Sequence, residues 1–170
     1  MLLKIIMIIA VVSLMLGPVM MMQPSKKERR LARIRGSAIA NKLKVQSHVD
    51  DKGEMYAVYT KPWPDYILQS LKSRQFPEWR LNRMAFAHDI HFHSVWDWDN
   101  KSKTSSVVPG ELAAILDSVN EDITAIEVNR FGASVHWNEY LRGREPQQVI
   151  KEIEQLLASL IQVEIPLLPC

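Results

Sequence analysis

The chain has 170 residues, of which 47% are hydrophobic and 24% charged; beyond its first two dozen residues that length leaves one domain of ordinary size, about 125–145 residues. The formal charge of +2 averages two unlike parts, because residues 25–44 carry +7 and residues 45–170 carry −6. An acidic body excludes nucleic acid as the main partner, since that affinity rests on neutralising phosphates.

In chain order, the first feature is an uncharged run from Ile5 to Met22, 18 residues long and extended by Leu2 and Leu3 around Lys4. A bilayer core of about 30 Å asks for about 20 apolar residues at 1.5 Å each, so residues 1–23 are expected to form a transmembrane anchor. The run ends Val19-Met20-Met21-Met22-Gln23-Pro24, without the small-x-small pattern of a cleaved secretory signal. Gly17-Pro18 would kink it, a fault that membrane helices tolerate. The flank beyond it is basic, which by the positive-inside rule sets the body in the cytoplasm and the amino terminus outside. Moving seven net positive charges across a polarised bilayer would cost about 2.3 kcal/mol per charge per 100 mV.

Ser25 followed by Glu28 is a capping-box pattern, so residues 24–42 are expected to hold a juxtamembrane helix. Its stripe of Leu31, Ile34, Ala38 and Ile39 is thin, and Lys26, Lys27, Arg29, Arg30, Arg33 and Arg35 cover much of the rest. Such a helix suits a surface of anionic lipid headgroups, each basic side chain near it contributing about 1 kcal/mol. Residues 43–170 then read as a cytoplasmic α+β domain. Leu43, Val45 and Val49 alternate, Asp50 to Gly53 turns, and Met55 to Tyr59 returns as the second arm of a hairpin ended by Lys61-Pro62-Trp63-Pro64. Tyr66 to Ser73 is short and ambiguous, and Trp79 to Met84 reads as a strand. Ile90 to Trp98 has the clearest two-fold alternation, with Ile90, Phe92, Ser94, Trp96 and Trp98 on one face and His91, His93, Val95 and Asp97 on the other. A helix opens at Pro109, a second hairpin joins Ile123–Val128 to Ala133–Trp137, and an amphipathic helix runs from Pro146 to about Gln162. Adjacent hairpins with short turns imply an antiparallel sheet with helices packed on one face.

Candidate chemistry is sparse. The sharpest candidate set is His88, His91 and His93: on an extended strand His91 and His93 would hold their β-carbons about 6.5–7 Å apart, close enough for both imidazoles to reach one metal ion, with His136 or His48 available as a third ligand. A metal-dependent enzyme or sensor is therefore one expectation, set against the polar face of a half-exposed strand. Trp96, Trp98 and Trp137 fall on faces expected to be buried, whereas Trp63 between two prolines is a candidate for surface contact. There is no nucleophile elbow, phosphate-cradling glycine loop or dinucleotide fingerprint. Asp97 with Asp99 and Glu152 with Glu154 are pairs that any acidic surface produces, so no cofactor and no catalytic residue is assigned. Cys170, the single cysteine and the last residue, can form neither an intrachain disulfide nor a Cys-rich zinc site.

The apolar run through Leu16-Gly17-Pro18 and on into Gln23-Pro24-Ser25-Lys26-Lys27-Glu28-Arg29-Arg30 resembles small single-span bacterial inner-membrane proteins. In particular it looks like the YajC family of preprotein-translocase accessory subunits, whose span also ends in a Pro-polar-basic flank. The likeness covers about 30 residues. After Arg35 the chain departs from that family, being longer and lacking its short glycine-bearing β-domain. Arg29-Arg30-Leu31-Ala32 together with Val135-His136-Trp137 before the last helix also resembles a group of uncharacterised proteobacterial anchored proteins. That resemblance implies a location and an architecture. The leading expectation is a membrane-anchored, non-enzymatic interaction or scaffold protein, with a translocation accessory as an alternative.

Overall fold

The structure, a computed structural model, describes residues 4–7, 9, 13, 23–49, 53–70, 78–85, 92–99 and 110–164. Among the described residues no helix is long and apolar enough to cross a membrane. The anchor expected over residues 1–23 lies largely outside them, as do His88, His91, Pro109 and Cys170. The chain divides into two units, 1–33 and Ile34–Cys170.

Helix α1 (Lys26–Ala40) opens on the capping box, with Ser25 N donating to Glu28 Oε2 at 2.5 Å and Glu28 N to Ser25 Oγ at 3.2 Å. It ends in a Schellman arrangement: Leu43 N reaches Ala38 O and Lys42 N reaches Ile39 O, with Lys42 at φ 60° in the place glycine usually takes. Ile34 and Ala38 are buried, whereas Ile39 is exposed, so the apolar stripe is narrower than its sequence.

The second unit is α+β, one six-stranded antiparallel sheet with helices on one side. Its strands are β1 (Lys44–Val49), β2 (Met55–Pro62), β3 (Trp79–Arg83), β4 (Trp96–Trp98), β5 (Ile123–Asn129) and β6 (Gly132–Trp137), in the order β1-β2-β6-β5-β3-β4. The helices are α2 (Asp65–Ser70), α3 (Gly110–Ser118) and α4 (Pro146–Glu164). Strand pleating puts Ala57 and Tyr59, Val135 and Trp137, Ile126 and Val128, and Trp79 and Leu81 on the side facing the helices, and all eight are buried. Val149, Ile150, Ile153, Leu157, Leu160 and Ile161 recur at helical spacing on α4 and are buried too. Tyr59 and Trp137 meet at 5.6 Å between ring centroids.

Strand β2 ends inside Lys61-Pro62-Trp63-Pro64 as expected, at Pro62, which pairs with Gly132 where its missing N–H costs least. Two local expectations are corrected. Trp63 is 2% exposed and donates its Nε1 to Asn129 O at 2.8 Å, so it is a core residue and not a surface contact. The stretch to Trp98 is not one long strand. His93 N and O bond Trp96 O and N at 3.1 and 2.8 Å across a two-residue reversal with Ser94 at φ 50°. The reversal lays Phe92 on Trp98, with centroids 4.3 Å apart, where an extended strand would hold them about 20 Å apart.

Two buried polar clusters tie the elements together. Glu139, at φ 59°, takes a bidentate pair from Arg35 (Nε to Oε1 and Nη2 to Oε2, both 2.8 Å) and a 2.8 Å bond from the Tyr59 hydroxyl. Burial, followed by the Glu139 carboxylate, pushes the Tyr59 hydroxyl far above its ordinary range, so it stays a donor. Arg83 lies 4.6 Å over the Trp96 ring and donates to Val119 O, Asn120 O and Ile123 O at 2.9, 3.2 and 3.0 Å. It thereby satisfies carbonyls just past the end of α3.

Candidate functional site: the open face of the sheet

The residues that alternate with the core set line the sheet's other side. Registers Val58 with His136, Thr60 with Ser134, Ser134 with Glu127 and Glu127 with Arg80 set polar side chains in a row across β2, β6, β5 and β3. Together with Lys44, Gln46 and His48 of β1 they bound a groove of about 510 Å³, with the exposed Phe131 on its lip.

Aromatic rings form the groove's floor toward β1. His48 stacks on Tyr56 (5.6 Å, 22°) and Tyr56 on His136 (5.3 Å, 16°), a ladder of three rings over three strands. His136 is 5% exposed, and its Nε2 has no hydrogen-bond partner; Glu127 Oε2 stands 3.5 Å away, inside ion-pair range but beyond good hydrogen-bond geometry. The imidazole beside it nevertheless holds the Glu127 carboxyl below its usual range, outweighing the opposite effect of burial. Asn129 Nδ2 donates to the other Glu127 oxygen at 3.0 Å, and Arg80 Nε donates to Asn82 Oδ1 at 3.0 Å.

A groove holding a carboxylate, an imidazole, a guanidinium and side-chain amides can recognise a polar ligand through several hydrogen bonds. On its floor Ser134 Oγ and Thr60 Oγ1 bond each other at 2.9 Å.

The metal candidates stand as follows. His91 lies outside the described residues, and His93 Nε2 sits 2.9 Å from Asp117 Oδ1 of α3. His136 packs on Tyr56 and Glu127, and Tyr56 separates it from His48. Among the described residues no group of three His, Cys, Asp or Glu stands together as a metal site. Of the basic set on α1, Lys26, Lys27, Arg29 and Arg33 are exposed, Arg30 is half-buried, and Arg35 is bonded to Glu139. Sequence reading named His48 and His136 but passed over Glu127, Arg80 and Tyr56. The available signal was the spacing of Glu127 with Asn129 and of Ser134 with His136, polar residues two apart inside otherwise apolar strands. No protein-family model, curated protein or solved structure matches the chain.

Proposed function

We propose that the chain is a single-span inner-membrane protein, anchored through residues 1–23, whose α+β domain works in the cytoplasm as a non-enzymatic interaction or scaffold module. The exposed cations of α1 hold its membrane-proximal end against anionic headgroups. The observation that carries the binding role is the sheet face that no described helix covers, with its aromatic ladder and the buried His136, whose Nε2 faces Glu127 without a hydrogen bond. The likeness of residues 2–35 to the YajC family makes the protein-translocation machinery the first partner to test.

Two experiments test this reading on the full chain in cells. A photo-cross-linking amino acid at Phe131 is expected to give a discrete adduct, distinct in mass from a self-dimer, that Tyr56→Ala or Arg80→Ala removes. No adduct, or an equal one from the exposed Tyr66, overturns the binding role. A carboxyl-terminal fluorescent reporter is expected to be bright and an alkaline phosphatase fusion silent; an active phosphatase overturns the topology.

A further inference from the structure

The sheet ends in two unlike edges. β4 is three residues long, carries Asp97 and is followed at once by Asp99. Shortness and charge are the usual means of keeping an edge from pairing. β1 has neither protection. Its six residues pair with Met55–Thr60 in unbroken antiparallel register, without proline or bulge, and its one fixed charge, Lys44, sits at its end. Among the described residues β1 has no strand neighbour other than β2 and no further backbone hydrogen bond. At the hairpin end, Val49 and Met55 lie opposite each other on the helix-facing side of the sheet and are 63% and 57% exposed.

We propose that β1 is a seam at which a second copy of this chain joins the sheet. For one sheet to run into the other, helix-facing residues must meet helix-facing residues, so the two-fold axis has to pass through a residue facing its own equivalent. Centred on Ser47, the pairing sets Val45 against Val49 of the second copy, and Val49 against its Val45, on the helix-facing side. On the open side Gln46 meets His48 of the second copy. The two Lys44 side chains fall at opposite ends, on the order of 20 Å apart, so no like charges face each other. The edge is thus complementary to itself, valine to valine and amide to imidazole. A foreign strand would have to reproduce that pattern, which is why a second copy is the occupant. Because Gln46 and His48 also line the groove, the seam sets the grooves of the two copies side by side on a twelve-stranded surface.

Cross-linking of the full chain in membranes tests this. Cys170→Ser removes the only native cysteine. Ser47→Cys in that background places two thiols across the axis, where antiparallel Cα separations of about 4.5–5.5 Å lie within disulfide range. Mild oxidation is expected to yield a disulfide dimer, and Tyr66→Cys, exposed on α2, is expected to yield little. In detergent, sedimentation is expected to find a dimer that Ser47→Lys weakens roughly tenfold by opposing two ammonium groups, with an unchanged circular dichroism spectrum. A monomeric wild-type chain, or cross-linking from Ser47→Cys no better than from Tyr66→Cys, overturns the proposal. So does a dimer indifferent to Ser47→Lys.

Discussion

Gly132→Ala offers the sharpest test of how β2 and β6 are joined. Gly132 opens β6 at φ 140°, a backbone region that L side chains rarely enter, and pairs with Pro62. A β-carbon there would stand 2.9 Å from both Lys61 C and Pro62 Cα, and closer still to the Lys61 carbonyl oxygen. These are backbone atoms, so no side chain can swing aside. Forcing the dihedral costs about 1–3 kcal/mol. Relieving the overlap requires the β5–β6 turn to lift from β2, which removes one or two ladder bonds and strains the bond from Trp63 Nε1 to Asn129 O, each contributing about 1 kcal/mol. The total is roughly 3–6 kcal/mol, a large part of the 5–15 kcal/mol typical of a domain. In a domain of this size that lowers Tm by roughly 10–20 °C, read by tryptophan fluorescence or circular dichroism. Gly53→Ala is the control. Gly53 has φ 80° but nothing within 4 Å of the new carbon, so strain alone acts, about 1–2 kcal/mol. A loss below about 1 kcal/mol for Gly132→Ala, or equal losses at the two sites, would refute the reasoning.

Arg35→Ala leaves the Glu139 carboxylate, 7% exposed, with the Tyr59 hydroxyl alone, and is expected to cost about 2–4 kcal/mol in urea unfolding; a neutral result would mean the pair does not persist in solution. Arg83→Met keeps the aliphatic packing on Trp96 but strands the carbonyls of Val119, Asn120 and Ile123, for an expected loss of about 1–3 kcal/mol by the same assay. Glu127 titrates below its ordinary value in the folded chain, so its contribution is fully present above about pH 4.5 and is lost as pH falls through the depressed native value. Glu127→Gln is therefore expected to flatten the acid limb of the stability-against-pH curve, and an unaltered limb would count against the pairing with His136.

Periodicity alone revealed much of this domain. The α4 stripe from Val149 to Ile161, the β5–β6 hairpin and the capping box at Ser25 each rest on neighbours in sequence, where local rules apply directly. Phe92 to Trp98 misled because alternation also arises when a chain doubles back: Phe92 and Trp98 are both apolar because they touch, not because they share one face of a strand. The place of β6 beside β2, some 75 residues away, leaves no periodic trace, and neither does the partner of Arg35 at position 139. The groove was half visible for the same reason. His48 and His136 are conspicuous as residue types, but Glu127 and Arg80 gain meaning only from a cross-strand register that no single strand encodes.

The strand order bears on how the chain comes off the ribosome. β5 and β6, in the middle of the sheet, are the last strands to be synthesised, while the earlier pairs β1–β2 and β3–β4 flank them on either side. Until residue 137 has emerged, the two early pairs have no common neighbour and their apolar faces stay wet. The late hairpin is local and closes quickly, whereas its docking onto β2 and β3 spans long loops and is the slow event. In a nascent chain stalled before residue 123 the strands β1 to β4 should accordingly be protease-sensitive, and their protection should arrive in one step once β6 is free to insert.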